Sequence, residues 1–186
     1  MLIALQVVRK NLSNQFSSLG RESPTHHTIS MKMKTILNVF VWLAVCQLPM
    51  LASMPFVDPN MTWYHTLVKP PFVPPDFMFG MVWTVLYLLL GLAAVLVFAR
   101  GMSEKHGLAA WLLGVQLMLN ACWTPVFFGW HNIPLALAVV ALMLAEGFFM
   151  HRAFKKHSQL AALMLWPYWL WLGFATYLTA GFMMLN

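Results

Sequence analysis

Charge is what this sequence has least of. Only 9% of its 186 residues are charged, with five Asp and Glu against eleven Lys and Arg. A soluble domain carries about a quarter, so an ordinary hydrated surface is excluded. The sequence also has no paired carboxylates, nucleophile elbow, glycine-rich phosphate loop or Cys/His cluster. It therefore has no motif for conventional acid–base, covalent, nucleotide or metal chemistry. Cysteine is nearly absent. Cys46 and Cys122 both lie in apolar stretches without metal-ligand spacing and read as small apolar fillers.

What is abundant is apolar surface, at 61% of residues. Five apolar segments stand out, at about 35–56, 77–99, 108–130, 133–150 and 160–185. Each is long enough to cross a hydrocarbon core of about 30 Å as a helix. The dyad alternation of spanning strands is missing, and helices satisfy their own backbone groups. The expected fold is an all-α membrane protein, a five-transmembrane-helix bundle in one domain over 31–186. Residues 1–30 are Ser- and Asn-rich, basic, and of the wrong polarity for a secretory signal. They are expected to form a disordered N-terminal extension, a transit-like presequence, or upstream translation ahead of natural starts at Met31 or Met33.

Ten of the eleven basic residues fall before the first segment, between the second and third, or between the fourth and fifth. Lys69 alone lies on the other side. The positive-inside rule then puts the N-terminus in the cytoplasm and the 57–76 connection on the opposite face. The same asymmetry excludes nucleic acid as a partner and makes the lipid bilayer the partner of these charges.

The 57–76 connection feeds the second segment through WYHTLVKPPFVPPDFMFGMVWTVLY, residues 63–87. Proline fixes φ and removes a donor, so 69–75 cannot be helix interior. A stiff aromatic loop running into a helix suits the lid of a cavity. Phe79, Trp83 and Tyr87 continue from it, and Trp123, Tyr168, Trp169 and Trp171 also sit deep among nine tryptophans. Such a wall suits a large flat conjugated ligand. Asn120 and Gln116 share a helix face and need partners in hydrocarbon: interhelical glue, or for Asn120 a polar contact in a ligand cavity. Glu146 is the one acid well inside a segment, either snorkelling towards Arg152 or serving a proton or substrate role. His65 has no His partner but could approach a bound ligand or a haem iron. Pro125 and Pro167 should kink their helices and open backbone carbonyls. Ala110 and Gly114 form a small-xxx-small pair suited to dimerisation.

The blocks WYHTLVKPPFVPP (63–75), VWTVLY (82–87), QLMLNACW with FFG (116–129) and PYWLWLGFATYL (167–178) resemble, in order and spacing, the TspO/MBR family of tryptophan-rich sensory proteins and mitochondrial translocator proteins. The resemblance covers about 35–186. It implies a five-helix bundle, usually a homodimer, with a pocket under the loop after the first helix. It implies porphyrin or haem as ligand, without an obligatory cofactor, catalytic residue or metal. It implies a pocket lined by Trp83, Tyr87, Asn120, Trp123, Trp171, Ala175 and Leu178, with Trp63 and Pro74-Pro75 in the lid. Phe79 joins this candidate wall, and Lys69 is the candidate for ligand propionates. The chain departs from the family in three places. No basic residue follows Tyr177 to complete the cholesterol-associated pattern. Thr179 replaces an asparagine. Val139 stands where an acid is common, with Glu146 seven residues later.

The function expected is a membrane receptor or carrier for tetrapyrroles, in their homeostasis and in stress or light signalling. The alternatives are a light-dependent porphyrin-degrading enzyme and a sterol or small-molecule transporter. A bacterial cell membrane is expected, with a mitochondrial or other organelle membrane as the alternative.

Overall fold

The computed structural model describes residues 24–98 and 102–186. The chain divides into two units, Met1–Leu37 and Asn38–Asn186. The expected N-terminal extension lies, for residues 1–23, outside the described residues. Six α-helices make up the described chain: α1 Pro24–Val57, α2 Met61–Thr66, α3 Asp76–Phe98, α4 Gly107–Thr124, α5 Ile133–Lys155 and α6 Gln159–Leu185. No strand occurs among the described residues. Five stretches are long and apolar enough to span a bilayer: Ile36–Thr66, Asp76–Phe98, Glu104–Gly129, Ile133–Lys155 and Gln159–Leu185.

Local chemistry starts and stops these helices. Asn132 accepts from the Leu135 amide at 3.0 Å to cap α5, with Pro134 in the first turn. Ser158 caps α6 by accepting from the Ala161 amide at 3.2 Å. Asp76 opens α3 immediately after Pro75, where an acid favours the helix dipole.

The proline expectations resolve differently from one another. Pro125 ends α4 and starts a π-helical turn, Pro125–Gly129, closed by the Trp130 amide on the Pro125 carbonyl at 2.9 Å. Pro167 lies inside α6, which runs through it as one helix. The 57–76 connection is also more ordered than a loop. A 3₁₀ turn, Asp58–Asn60, leads into α2, so Trp63 and His65 sit on a helix. Asn60 Nδ2 donates to the Phe56 carbonyl at 2.8 Å across this turn. The helix stops ahead of Lys69 because a residue before proline avoids the α region, and Leu67–Pro75 is non-helical.

Small residues let the helices approach closely, as expected where lipid supplies no hydrophobic drive for association. Ala93, Ala94, Ala109, Ala136, Ala153 and Ala161 are all buried. Gly91 of α3 lies against the α1 backbone: a Cβ there would sit 3.1 Å from Leu43 Cα and 3.2 Å from the Trp42 carbonyl. The larger core cluster, from Cys46 and Leu90 to Phe154 and Leu172, occupies the middle of the bundle and its basic end. A smaller cluster of Tyr64, Val126, Phe127, Ile133, Ala136 and Phe182 occupies the opposite end. Between the two lies a cavity.

Candidate ligand-binding site

The cavity has a volume of about 350 Å³, within the size range of small-molecule sites. Six helices line it, each through residues spaced three or four apart. From α3 come Asp76, Phe79, Gly80, Trp83 and Tyr87; from α4, Asn120, Trp123 and Thr124. From α6 come Trp171, Ala175, Leu178, Thr179 and Phe182. Met50, Ser53 and Met54 of α1 and Val140 and Met143 of α5 complete the sides. Tyr64 of α2 and Phe127 and Phe128 of the π turn contribute at the lid end.

The wall is aromatic in a specific arrangement. Trp83 stacks on Tyr87 with centroids 5.3 Å apart and stands edge-on to Trp171 at 6.4 Å. Phe79 meets Trp171 edge-on at 6.2 Å. Across the cavity, Trp123 stacks on Phe127 at 5.0 Å and an interplanar angle of 13°. The π turn places Phe127 on this wall, because its extra residue per turn changes which side chains face inward.

The floor is polar and nearly fully bonded. Tyr87 Oη donates to Asn120 Oδ1 at 3.0 Å. Asn120 Nδ2 donates to the Gln116 carbonyl at 2.7 Å and to Tyr168 Oη at 2.6 Å. An unpartnered amide in hydrocarbon would cost several kcal/mol. Here both amides are buried and partnered: Asn120 bonds two tyrosines and the backbone of its own helix, and Gln116 bonds Tyr168. Ser53 and Thr124 share a hydrogen bond of 2.9 Å higher on the wall. Among the described residues, the enclosed donors Tyr64 Oη, Trp123 Nε1 and Trp171 Nε1 have no hydrogen-bond partner.

The segment Leu67–Pro75 is seated on the end of α6. Pro70 lies over Gly181, where a Cβ would come 2.6 Å from Pro70 Cβ. Tyr177 Oη donates to the Pro71 carbonyl at 3.2 Å. The Asn186 side chain grips Val68 twice, accepting from its amide at 2.9 Å and donating to its carbonyl at 3.2 Å. Phe72, 83% exposed and at φ 66°, forms the tip. Asp76 lies between two side chains of this end, 3.3 Å from His65 Nε2 and 3.7 Å from Lys69 Nζ. Lys69 also sits 4.7 Å from the Tyr64 ring centroid.

Of the residues proposed from sequence, Phe79, Trp83, Tyr87, Asn120, Trp123, Trp171, Ala175 and Leu178 come together on the cavity wall. Trp63 and Lys69 are not part of that wall. Trp63 stacks on His131 at 4.0 Å and meets Phe127 edge-on at 5.6 Å, packed against the core cluster of the lid end. Lys69 is engaged by Asp76. His65 is likewise paired with Asp76 and does not line the wall. The sequence reading missed Asp76, although its place just after Pro74-Pro75 marks it as a first-turn acid. It also missed Ser53 and Thr124, whose contact spans 71 positions and leaves no local signal.

Membrane-spanning helices around an internal aromatic cavity define a multi-pass integral membrane protein with a covered chamber. The profile of the TspO/MBR family matches residues 33–185, and the chain belongs to that family. It is 34% identical over 155 residues to the tryptophan-rich protein TspO of Chlorobaculum tepidum, covering 82% of this chain and 98% of the relative. It is 37% identical over 145 residues to the tryptophan-rich sensory protein of Cereibacter sphaeroides, covering 78% and 89%. It is also 37% identical over 119 residues to the human translocator protein, covering 63% and 70%.

Proposed function

We propose that this protein is a membrane receptor or carrier for tetrapyrroles, porphyrin or haem, held in the cavity between the lid segment and the Asn120 floor. One observation carries the reading. Trp83, Trp123 and Trp171 bring three indole rings onto one covered cavity above the hydrogen-bonded Asn120 floor. A wall of indole faces and edges favours a ligand that is flat, apolar and conjugated. A tetrapyrrole has that chemistry: a conjugated plane for Trp83, Trp123 and Trp171. Propionates would compete with Asp76 for Lys69, so binding and lid movement would be linked.

Protoporphyrin IX titration with tryptophan quenching tests the reading. Loss of both indole contacts in a Trp123→Phe, Trp171→Phe double variant should weaken binding about tenfold or more, at about 1.4 kcal/mol per decade. Affinity equal to the unaltered protein would refute the site. Bleaching of the bound macrocycle to a new spectral product under light would move the reading to a porphyrin-degrading enzyme.

A homodimer is part of the proposal. Gly114 is exposed on α4 with open space where a side chain would stand, and Ala110 lies one turn away. Such a small-residue face admits a second helix closely.

A further inference from the structure

The polar chain that floors the cavity continues away from it to a carboxyl group. Tyr168 Oη already accepts from Asn120 Nδ2, so its own hydrogen goes to Gln116 Oε1 at 2.7 Å. That turns Gln116 Nε2 onto Glu146 Oε2 and onto the Met143 carbonyl at 3.3 Å. The opposite amide orientation would aim two donors at one hydroxyl oxygen and leave an amide oxygen facing acceptors. The chain thus runs Tyr87, Asn120, Tyr168, Gln116, Glu146, with members from α3, α4, α6 and α5. One end is on the cavity wall and the other is a half-buried acid.

Among the described residues, no cation lies within salt-bridge reach of Glu146. The close acid–base contacts among the described residues are those of Asp76 with His65 and Lys69. The titratable groups around the chain are Tyr87 from α3, Tyr168 from α6 and Cys46 from α1, none of them a cation. From α4 it is faced by the neutral amides of Gln116 and Asn120. On its own helix, Arg152 lies over the Phe148 ring and His151 against Trp166. Glu146 Oε1 has no hydrogen-bond partner. An ionisable group inside a spanning helix is costly to keep, which makes it a functional position until shown otherwise.

We propose that Glu146 is a proton site linked to occupancy of the cavity. A ligand that accepts a hydrogen bond from Tyr87 causes Glu146 to take up one proton from bulk water. The inference rests on the reading of the cavity as a ligand site. The link is the polarity of the chain. With Glu146 ionised, every donor points towards the carboxylate, as described. With Glu146 protonated, its O–H donates to Gln116 Oε1, the amide turns over, and Gln116 Nε2 donates to Tyr168. The Tyr168 hydrogen then needs Asn120 Oδ1, so Asn120 turns and Tyr87 loses its acceptor. The bond from Asn120 to the Gln116 carbonyl opposes this reversal. A ligand acceptor at Tyr87 offsets the loss, and so favours the protonated form. By reciprocity, the proton strengthens ligand binding by the same factor. No covalent bond other than the new carboxyl O–H is made.

Calorimetric titration of the full chain with protoporphyrin IX, in two buffers of different ionisation enthalpy, counts the protons taken up. The count should be larger in the unaltered protein than in Glu146→Gln, by up to one proton where Glu146 titrates. The affinity of the unaltered protein should also fall more steeply with rising pH, by up to about tenfold per pH unit. Carboxyls of the porphyrin cancel in this difference. Equal counts and parallel pH slopes would overturn the proposal. A second arm needs no ligand. The infrared carboxyl band, assigned by its loss in Glu146→Gln, should titrate with a midpoint that Tyr168→Phe shifts, because that variant cuts the chain midway. An unmoved midpoint would overturn the link. Failure of protoporphyrin IX to bind would sink the tetrapyrrole reading instead, and the infrared arm would then decide this one.

Discussion

Replacing Gly181 by alanine should lift the lid while leaving the bundle intact. The new Cβ would stand 2.6 Å from Pro70 Cβ and 3.0 Å from its Cγ. Carbon atoms in contact prefer about 3.5–4.0 Å, so roughly 1 Å of separation must be found. The proline ring cannot rotate away, so either α6 or the lid backbone moves. Alanine strengthens the helix by about 1 kcal/mol relative to glycine, whereas overpacking costs about 1–3 kcal/mol. The weaker side yields, and that is the lid. Its hold on α6 is the Asn186 fork on Val68 and the Tyr177 bond to Pro71, all exposed. Losing two such bonds costs about 1–3 kcal/mol at 0.5–1.5 each. Lid opening should therefore rise about 10- to 100-fold, at 1.4 kcal/mol per decade. Hydrogen exchange reads this directly, because the Val68 amide is protected by Asn186 Oδ1. Exchange in the peptide containing Val68 should accelerate by tenfold or more, with α3 and α5 protected as before. Unchanged exchange at Val68, or equal acceleration everywhere, would refute the argument.

Three further predictions follow from other contacts. Gly91→Val should lower the thermal midpoint by several degrees, since its Cβ would press on the Leu43 and Trp42 backbone and overpacking costs about 1–3 kcal/mol; an unchanged midpoint would show that α1 and α3 are loosely packed. Gly114→Leu should reduce the dimer fraction measured by light scattering in detergent without changing the thermal midpoint, and a dimer fraction equal to the unaltered protein would place the interface elsewhere. His157, in the α5–α6 connection, has a pKa lowered from 6.5 by burial and by the positive charges of His106 and Lys156. The folded state therefore binds fewer protons there than the unfolded state just below pH 6.5. Stability should be full above that pH and fall as pH drops through the lowered value. The thermal midpoint of His157→Gln should fall less on acidification, and parallel pH profiles would refute the linkage.

Much of this protein was legible locally. Segment lengths and the 3.6-residue period are enough to place Trp83 with Tyr87, Asn120 with Trp123, and Trp171 with Ala175 and Leu178, because residues three and four apart share a helix face. The family resemblance then indicates which faces converge. Lys69 illustrates the limit. Its solitude on one side of the membrane argued for a free cation, yet Asp76 lies seven residues along and folds back to meet it. Nor was the stacking of Trp63 on His131, 68 positions away, legible in the sequence. The π turn was signalled by Pro125, but not its effect, which is to bring Phe127 onto Trp123.

By itself the sequence determined the solvent, the number of spanning helices and the apolar, aromatic nature of any cavity. These follow from composition and period, and each is a property of a single segment in lipid. Only the tertiary structure decided the polarity of the chain from Tyr87 to Glu146, the seating of Pro70 on Gly181 and the three donors left without partners. Each depends on atoms from different helices meeting within about 3 Å or failing to, since hydrogen bonds and hard contacts change over fractions of an ångström. Helix packing sets distances on that scale, and no local pattern of residue types encodes them.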